Sequence, residues 1–312
     1  MLPLTSVWPA AKGPGMHDMP AVTVSVLQFG TAHWQLAHIQ RRGIDQRHGF
    51  KLEVKLVANL GASRLAVSSA SVDGAVADLL WTQHRYEAGT PYLYLPFSSQ
   101  IGDILVADTS PVRTLADLVG RRIGVAGGPD SKGWVLLQEV AKAQGIELAG
   151  QTSVQYAAPP LLSQALKREQ VEVLITYWHF AAKLKAEGGY RSLIRMSDLL
   201  AALELDRDLP VLGYVFRADW AMAHRDLVTR FDQALMQAQA ELGESAEAWL
   251  PLRPLMRADD DAVFEALRSG FVAGMPKPLG SARIADLQQL LVLTGTDRES
   301  VLPVSLFFQP QP

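Results

Sequence analysis

Three short clusters that end apolar runs hold the residues best suited to chemistry. Phe29-Gly30-Thr31-Ala32-His33-Trp34 follows the run at 22–26, Asp78-Leu79-Leu80-Trp81 ends the run at 74–79, and Tyr177-Trp178-His179-Phe180 follows 171–176. Each combines flat aromatic surface with hydrogen-bonding groups. That mixture suits the packing of a small organic molecule, with a few polar atoms fixing its orientation. A fourth stretch, from Gly124 through Gly127, Gly128, Asp130, Ser131 and Lys132 to Trp134, sets glycines between a strand pattern and a helix pattern. Free N–H groups at such a turn suit an anion or a carbonyl oxygen. The turn reads equally well as a plain connection in which Asp130 or Ser131 caps the helix, and Asp130 there would weaken an anion site.

Signatures of catalysis are missing. Position 126 is alanine where the dinucleotide pattern needs glycine, and Gly133 is followed by Trp134 and Val135 where a phosphate loop needs Lys and Ser/Thr. The histidines at 17, 33, 38, 48, 84, 179 and 224 form no H-x-x-x-H or H-E-x-x-H pair, so no metal centre is expected. There is no G-x-S-x-G elbow. The chain has no cysteine, which excludes disulfides, thiolate ligands and a cysteine nucleophile. No catalytic residue and no cofactor is expected, and the chain reads as a binding protein rather than an enzyme. Singly, Trp34, Trp81 and Trp178 each read as core residues. Three aromatic clusters at strand ends, where α/β sheets bind ligands, favour a cleft. Trp8, Trp220 and Trp249 are read as structural.

These clusters must be positioned by alternating elements. Val22, Val24 and Val26 alternate with polar residues, as do Leu52, Val54 and Leu56. Further strands are expected at 104–107, 122–126, 152–156, 171–176 and 211–216, with helices at 131–144 and 161–168 between them. Beyond 216 the chain is helical, with apolar stripes at Leu227, Phe231, Leu235, Ala238 and Leu242, at Val263, Leu267 and Phe271, and at Ile284, Leu287 and Leu291. The expected fold class is α/β: mixed, mostly parallel sheets flanked by helices. The stretches 108–111 and 208–210 are read as crossings between two lobes. One lobe would comprise 20–108 plus 213–312 and the other 109–212, with 1–19 an irregular extension.

With 312 residues, a formal net charge of −3 and a pI of about 6.2, the chain has room for two lobes and lacks the basic field that nucleic acid would require. No run approaches the ~18 apolar residues of a membrane helix. Residues 1–20 show neither the basic start nor the apolar core of a signal peptide, which leaves open a removed targeting segment or a cytoplasmic location.

Six motifs in order carry a family resemblance. Gly49-Phe50-Lys51-Leu52-Glu53-Val54 resembles a G-F-to-strand segment, and residues 65–75, ending Val72-Asp73-Gly74-Ala75, resemble A-L-x-x-G-x-x-D-x-A. Ala88-Gly89-Thr90-Pro91 resembles an A-G-x-P turn. Thr114 to Val125, with Asp117-Leu118, Gly120 and Ile123-Gly124-Val125, resembles S/T-x-x-D-L-x-G-K-x-I-G-V. Residues 161–173 and 216–230 resemble the two segments that follow. The pattern is similar to that of the nitrate/sulfonate/taurine group of periplasmic solute-binding proteins, which includes thiamine-pyrimidine binders. Ala70, Glu172 and Tyr177-Trp178-His179 depart from it.

The resemblance implies a two-lobed periplasmic-binding-protein fold of type II that closes by a hinge on a small organic ligand of sulfonate, pyrimidine or aromatic type. It also implies an ABC-importer permease as partner, a periplasmic location and a monomer, with no nucleic-acid partner. Carried over, one lobe offers Phe29, Gly30, Thr31, Trp34, Asp78 and Trp81, and the other offers Gly128, Ser131, Lys132, Tyr177, Trp178 and His179. Thr31, Ser131 and Lys132 would be polar anchors; Phe29, Trp34, Trp81, Tyr177 and Trp178 would be walls. The alternatives on the same fold are an enzyme of thiamine-pyrimidine or menaquinone-pathway type and a ligand sensor without transport.

Overall fold

A computed structural model describes residues 19–309. The extension expected over 1–19 lies, except for Met19, outside the described residues. Strands β1 (Ala21–Leu27), β2 (Lys51–Val57), β3 (Gly74–Asp78), β4 (Tyr92–Ser98), β5 (Asp103–Ala107), β6 (Arg122–Ala126), β7 (Ser153–Ala157), β8 (Val173–Thr176), β9 (Tyr190–Arg195) and β10 (Leu212–Arg217) form two sheets. Their orders are β2-β1-β3-β10-β4 and β7-β6-β8-β5-β9.

In each sheet one strand runs against the rest. β10 pairs antiparallel with β3 and β4, and β5 pairs antiparallel with β8 and β9, while β1 and β6 make only parallel pairs. The reversed strand is in both cases the first to be laid down after the chain arrives from the other sheet. The remaining strands are linked by helices, as parallel pairing requires. The sheets are therefore mixed and mostly parallel, flanked by helices, and the architecture is the two-lobed periplasmic-binding-protein fold.

The first crossing differs from the expectation. β5 belongs to the second sheet, so the chain leaves the first sheet between Ser98 and Asp103 rather than at 108–111. The reason is register: Ile104, Leu105 and Val106 are buried between β8 and β9, and only pairing partners reveal which sheet an all-apolar strand joins. At Gly102 an added Cβ would lie 2.3 Å from the Thr176 carbonyl, so a glycine is needed where the crossing presses on β8. The chain returns to the first sheet between Arg195, the end of β9, and Leu212, the start of β10.

Amphipathic patterning accounts for the helical layer. The stripe Leu227, Phe231, Leu235, Ala238 and Leu242 is the buried face of the helix Arg225–Glu244. It packs Phe231 against Phe50, Tyr214 and Phe216 with ring centroids 6.2, 5.2 and 5.6 Å apart. The helix Asp261–Ala273 lies against the helix Trp178–Glu187, which follows β8, so the C-terminal layer also touches the second lobe. None of the described helices is long and apolar enough to cross a membrane.

Candidate functional site

Each parallel strand delivers a helix N-terminus to the space between the sheets. The helices Thr31–Arg42, Leu60–Ser68, Leu79–Glu87, Lys132–Ala143, Pro159–Lys167 and Trp178–Glu187 all begin there. Asn59 and Asp78 cap two of them by accepting from the backbone N–H groups of Ala62 and Trp81. The helices starting at Thr31, Lys132, Pro159 and Trp178 have no side-chain cap. At Thr31, Lys132 and Trp178 free first-turn N–H groups leave partial positive charge at the gap, whereas the third helix opens with Pro159 and Pro160, which have no N–H, and its next two N–H groups donate to the Ala158 carbonyl. Neither Asp130 nor Ser131 caps Lys132–Ala143; Asp130 instead reaches across to Arg64, 3.6 Å away. Gly127 holds φ at +97°, which keeps the chain turned out of the way ahead of that helix.

The gap contains a cleft of about 540 Å³. Phe29, Leu60, Arg64 and Asp78 face it from the first lobe, and Gly128, Ser131, Lys132, Tyr177 and His179 from the second. An inner chamber of about 80 Å³ continues inward, sharing Leu27, Leu60, Asp78, Lys132, Tyr177 and His179 with the cleft. Gly30, Thr31, Val76, Phe97, Ile101 and Trp178 wall it. Of the residues expected at a site, ten line one or both cavities: Phe29, Gly30, Thr31, Asp78, Gly128, Ser131, Lys132, Tyr177, Trp178 and His179.

Trp34 and Trp81 do not reach the cavities, which corrects their expected part as walls. Trp34 is 2% exposed and packs edge-on against Trp178 at 6.1 Å and Trp249 at 6.4 Å. It lies on nearly the same helix face as Thr31 but about 4.5 Å further from the helix N-terminus, past the cavity and among the core aromatics. Trp81 lies against Tyr92 at 5.1 Å, with the Arg64 guanidinium 5.8 Å from its ring. Trp178 does line the chamber but is itself 7% exposed, gripped by the first lobe's aromatic core.

The charges at the junction are paired across and within the lobes. Arg64 Nη2 donates to Asp78 Oδ2 at 2.8 Å. Burial opposes ionisation of Asp78, but the charges of Lys132 and Arg64 and the Trp81 N–H outweigh it and hold the carboxyl below the usual carboxylate range. Burial lowers the Lys132 ammonium and Asp78 resists that shift. Burial, followed by the charge of Asp78, raises the Tyr177 hydroxyl. His179 is pushed down to about 3 by burial and by the charge of Lys183, against the opposing Phe29 backbone. It is a neutral imidazole at any physiological pH, and its Nδ1 has no hydrogen-bond partner among the described residues.

Sequence reasoning missed Arg64 and Asn59, and it placed Asp130 at the turn as a helix cap and not as a partner of Arg64. Arg64 was visible only as one cation in an otherwise small and apolar helix, one turn after an Asn that could cap it. Among the described residues no three His, Asp or Glu side chains are grouped to hold a metal ion.

No curated protein sequence matches the chain significantly. Among solved structures, the periplasmic aliphatic sulphonate binding protein SsuA of Escherichia coli superimposes with a TM-score of 0.71 at 18% identity, over 88% of this chain and 91% of that one. The alkanesulfonate-binding SsuA of Xanthomonas axonopodis pv. citri, bound to MOPS, gives 0.70 at 21% identity, over 96% and 100%. The periplasmic nitrate-binding protein NrtA of Synechocystis gives 0.60 at 16%, over 81% and 70%. These likenesses agree with the fold traced above. Residues 33–247, from the first helix that opens on the cleft to the long helix behind it, match the family described as NMT1/THI5 like, and the chain belongs to that family.

Proposed function

We propose that this chain is the solute-binding protein of an ABC importer and captures a small organic ligand between its two lobes without transforming it. The observation that carries the reading is the cleft itself. It lies between two sheets, at the helix-bearing ends of their strands, and both lobes contribute to its walls. The ligand proposed is of sulfonate, pyrimidine or aromatic type, with an apolar body in the inner chamber and a polar or anionic group toward the uncapped helix N-termini, Lys132 and Arg64. Val76, Phe97 and Ile101 suit the former, and the N-termini the latter. Periplasmic location, a permease partner and a monomeric state belong to the same proposal and draw support from the fold.

The direct test is a thermal-shift screen of sulfonates, pyrimidines and aromatic acids, paired with native mass spectrometry of protein from its own host. A ligand at 100 times its Kd should stabilise the protein by about 2.7 kcal/mol. A molecule that leaves the assay chemically changed, or a melting point that no member of the screen moves, would overturn the receptor reading.

A further inference from the structure

The inner chamber ends on a partition. Gln100, Ile101 and Trp178 line the chamber, and the same three residues line a second cavity of about 600 Å³ behind it. The rear cavity lies between the helices Trp178–Glu187 and Asp261–Ala273, where Ala182, Ala266 and Gly270 flank the indole. Trp178 is packed on two sides. Its ring stands edge-on to Trp34 at 6.1 Å, and a Cβ added at Gly270 would come within 2.5 Å of its Cζ3. Gln100 is wedged similarly, since a Cβ at Gly274 would meet its Cγ at 2.2 Å. The chamber's far end is thus a fixed wall made of side chains, with open space directly beyond it.

We infer that Trp178 is a specificity-determining residue that limits ligand length: its indole, backed by Gln100, stops an apolar tail at the end of the chamber and seals the rear cavity from it. The inference rests on the reading that the front cleft takes an organic anion. A tail in the chamber lies along Val76, Phe97 and Ile101, so each methylene that fits removes apolar surface from water and strengthens binding about fourfold. A methylene that does not fit must displace an indole held on two sides.

Titration of an n-alkanesulfonate series, from ethane- to decanesulfonate, into the wild type, Trp178→Ala and Gln100→Ala tests this. Circular dichroism melts would verify that each variant is folded, and Gln100→Ala opens the partition without emptying the aromatic core. In the wild type, affinity should climb with chain length and then drop at least tenfold over the next carbons. In either folded variant the climb should continue to longer chains. An identical cut-off in wild type and variants, the absence of any cut-off in the wild type, or binding of no member by any of the proteins would overturn the inference. The broader screen of pyrimidines and aromatic acids judges the receptor reading separately.

Discussion

Acidification tests the buried state of His179. Its folded pKa is about 3 against an ordinary value of 6.5. Between those values the unfolded chain binds a proton that the folded protein refuses, so stability is complete above the range and is lost as pH falls through it. At pH 5 the loss from this one residue is about 2 kcal/mol, because roughly 1.5 pH units of the window have been crossed at 1.36 kcal/mol each. Over a chain of this length that corresponds to about 3 °C in Tm. Carboxylates held low, such as Asp78, stay ionised in the folded state across this window, but Asp232, raised to about 6 by burial, titrates within it with the opposite sign. His38 is lowered too, by burial against the pull of Glu241, which makes a comparison essential. His179→Gln keeps a polar side chain without the titration. Differential scanning calorimetry from pH 8 to pH 5 should therefore show a shallower fall in Tm for His179→Gln than for the wild type, by about 3 °C at the acid end. Equal slopes would mean that His179 accepts its proton in the folded state, and the argument for a neutral imidazole in the cleft would fail.

Gly270→Ala should lower stability by about 1–3 kcal/mol in urea unfolding, because its methyl must enter the space of the Trp178 indole; an unchanged midpoint would mean that the indole moves freely. Asp232 has the opposite sign to His179: burial raises its carboxyl to about 6 from 3.8, so the folded state binds the extra proton and stability falls as pH rises through that window. Asp232→Asn should accordingly stabilise the protein by about 1–3 kcal/mol at pH 8 and by nothing near pH 3.5, read from paired thermal melts. Lys183 Nζ donates to the backbone carbonyls of Met256 and Arg257 at 2.8 and 3.2 Å, joining the second lobe to the first lobe's helical layer. Lys183→Met should cost about 1–2 kcal/mol and enlarge the radius of gyration in X-ray scattering by loosening that junction; an unaltered radius would place the lobe contact elsewhere.

Much of the scaffold was legible because burial on one face leaves a period. The alternation at Val22, Val24 and Val26 became a strand paired in register with Leu52, Val54 and Leu56. The expected span 122–126 matches β6 to the residue. β4, Tyr92–Ser98, was not among the expected strands, since Tyr92 to Leu95 are all buried and leave no alternation; its Pro96 sits at a register shift opposite Gly213 on the sheet's edge strand, where the missing N–H is tolerated. The placement of the clusters at strand ends was legible, but not which way each aromatic turns. Thr31 and Trp34 share one face of one helix, and a rise of about 4.5 Å along it separates a residue at the chamber from one buried in the core. The charged core of the cleft was the least visible part, because Arg64, Asp78, Asp130 and Lys132 are scattered through the sequence and meet only through tertiary pairing.

That pairing bears on how closure could be tuned. Asp78 belongs to the first lobe and Lys132 to the second, and burial works against the charged form of each while the other supports it. Such a pair gains Coulomb energy roughly as it loses hydration, so it aligns the lobes more than it drives them together. Arg64 joins the same account by serving Asp78 and, across the gap, Asp130. Two cations and two anions then partly offset one another within the cleft, so an incoming anion meets Lys132 and Arg64 with part of their charge already compensated. To their pull is added that of the uncapped N-termini at Thr31, Lys132 and Trp178, which are dipolar, fixed to the backbone and short in range. Those N-termini come from both lobes, so on the receptor reading proposed above a ligand that touches all of them gains more from a closed form than from an open one. That difference is the only quantity by which a ligand can shift the equilibrium between them.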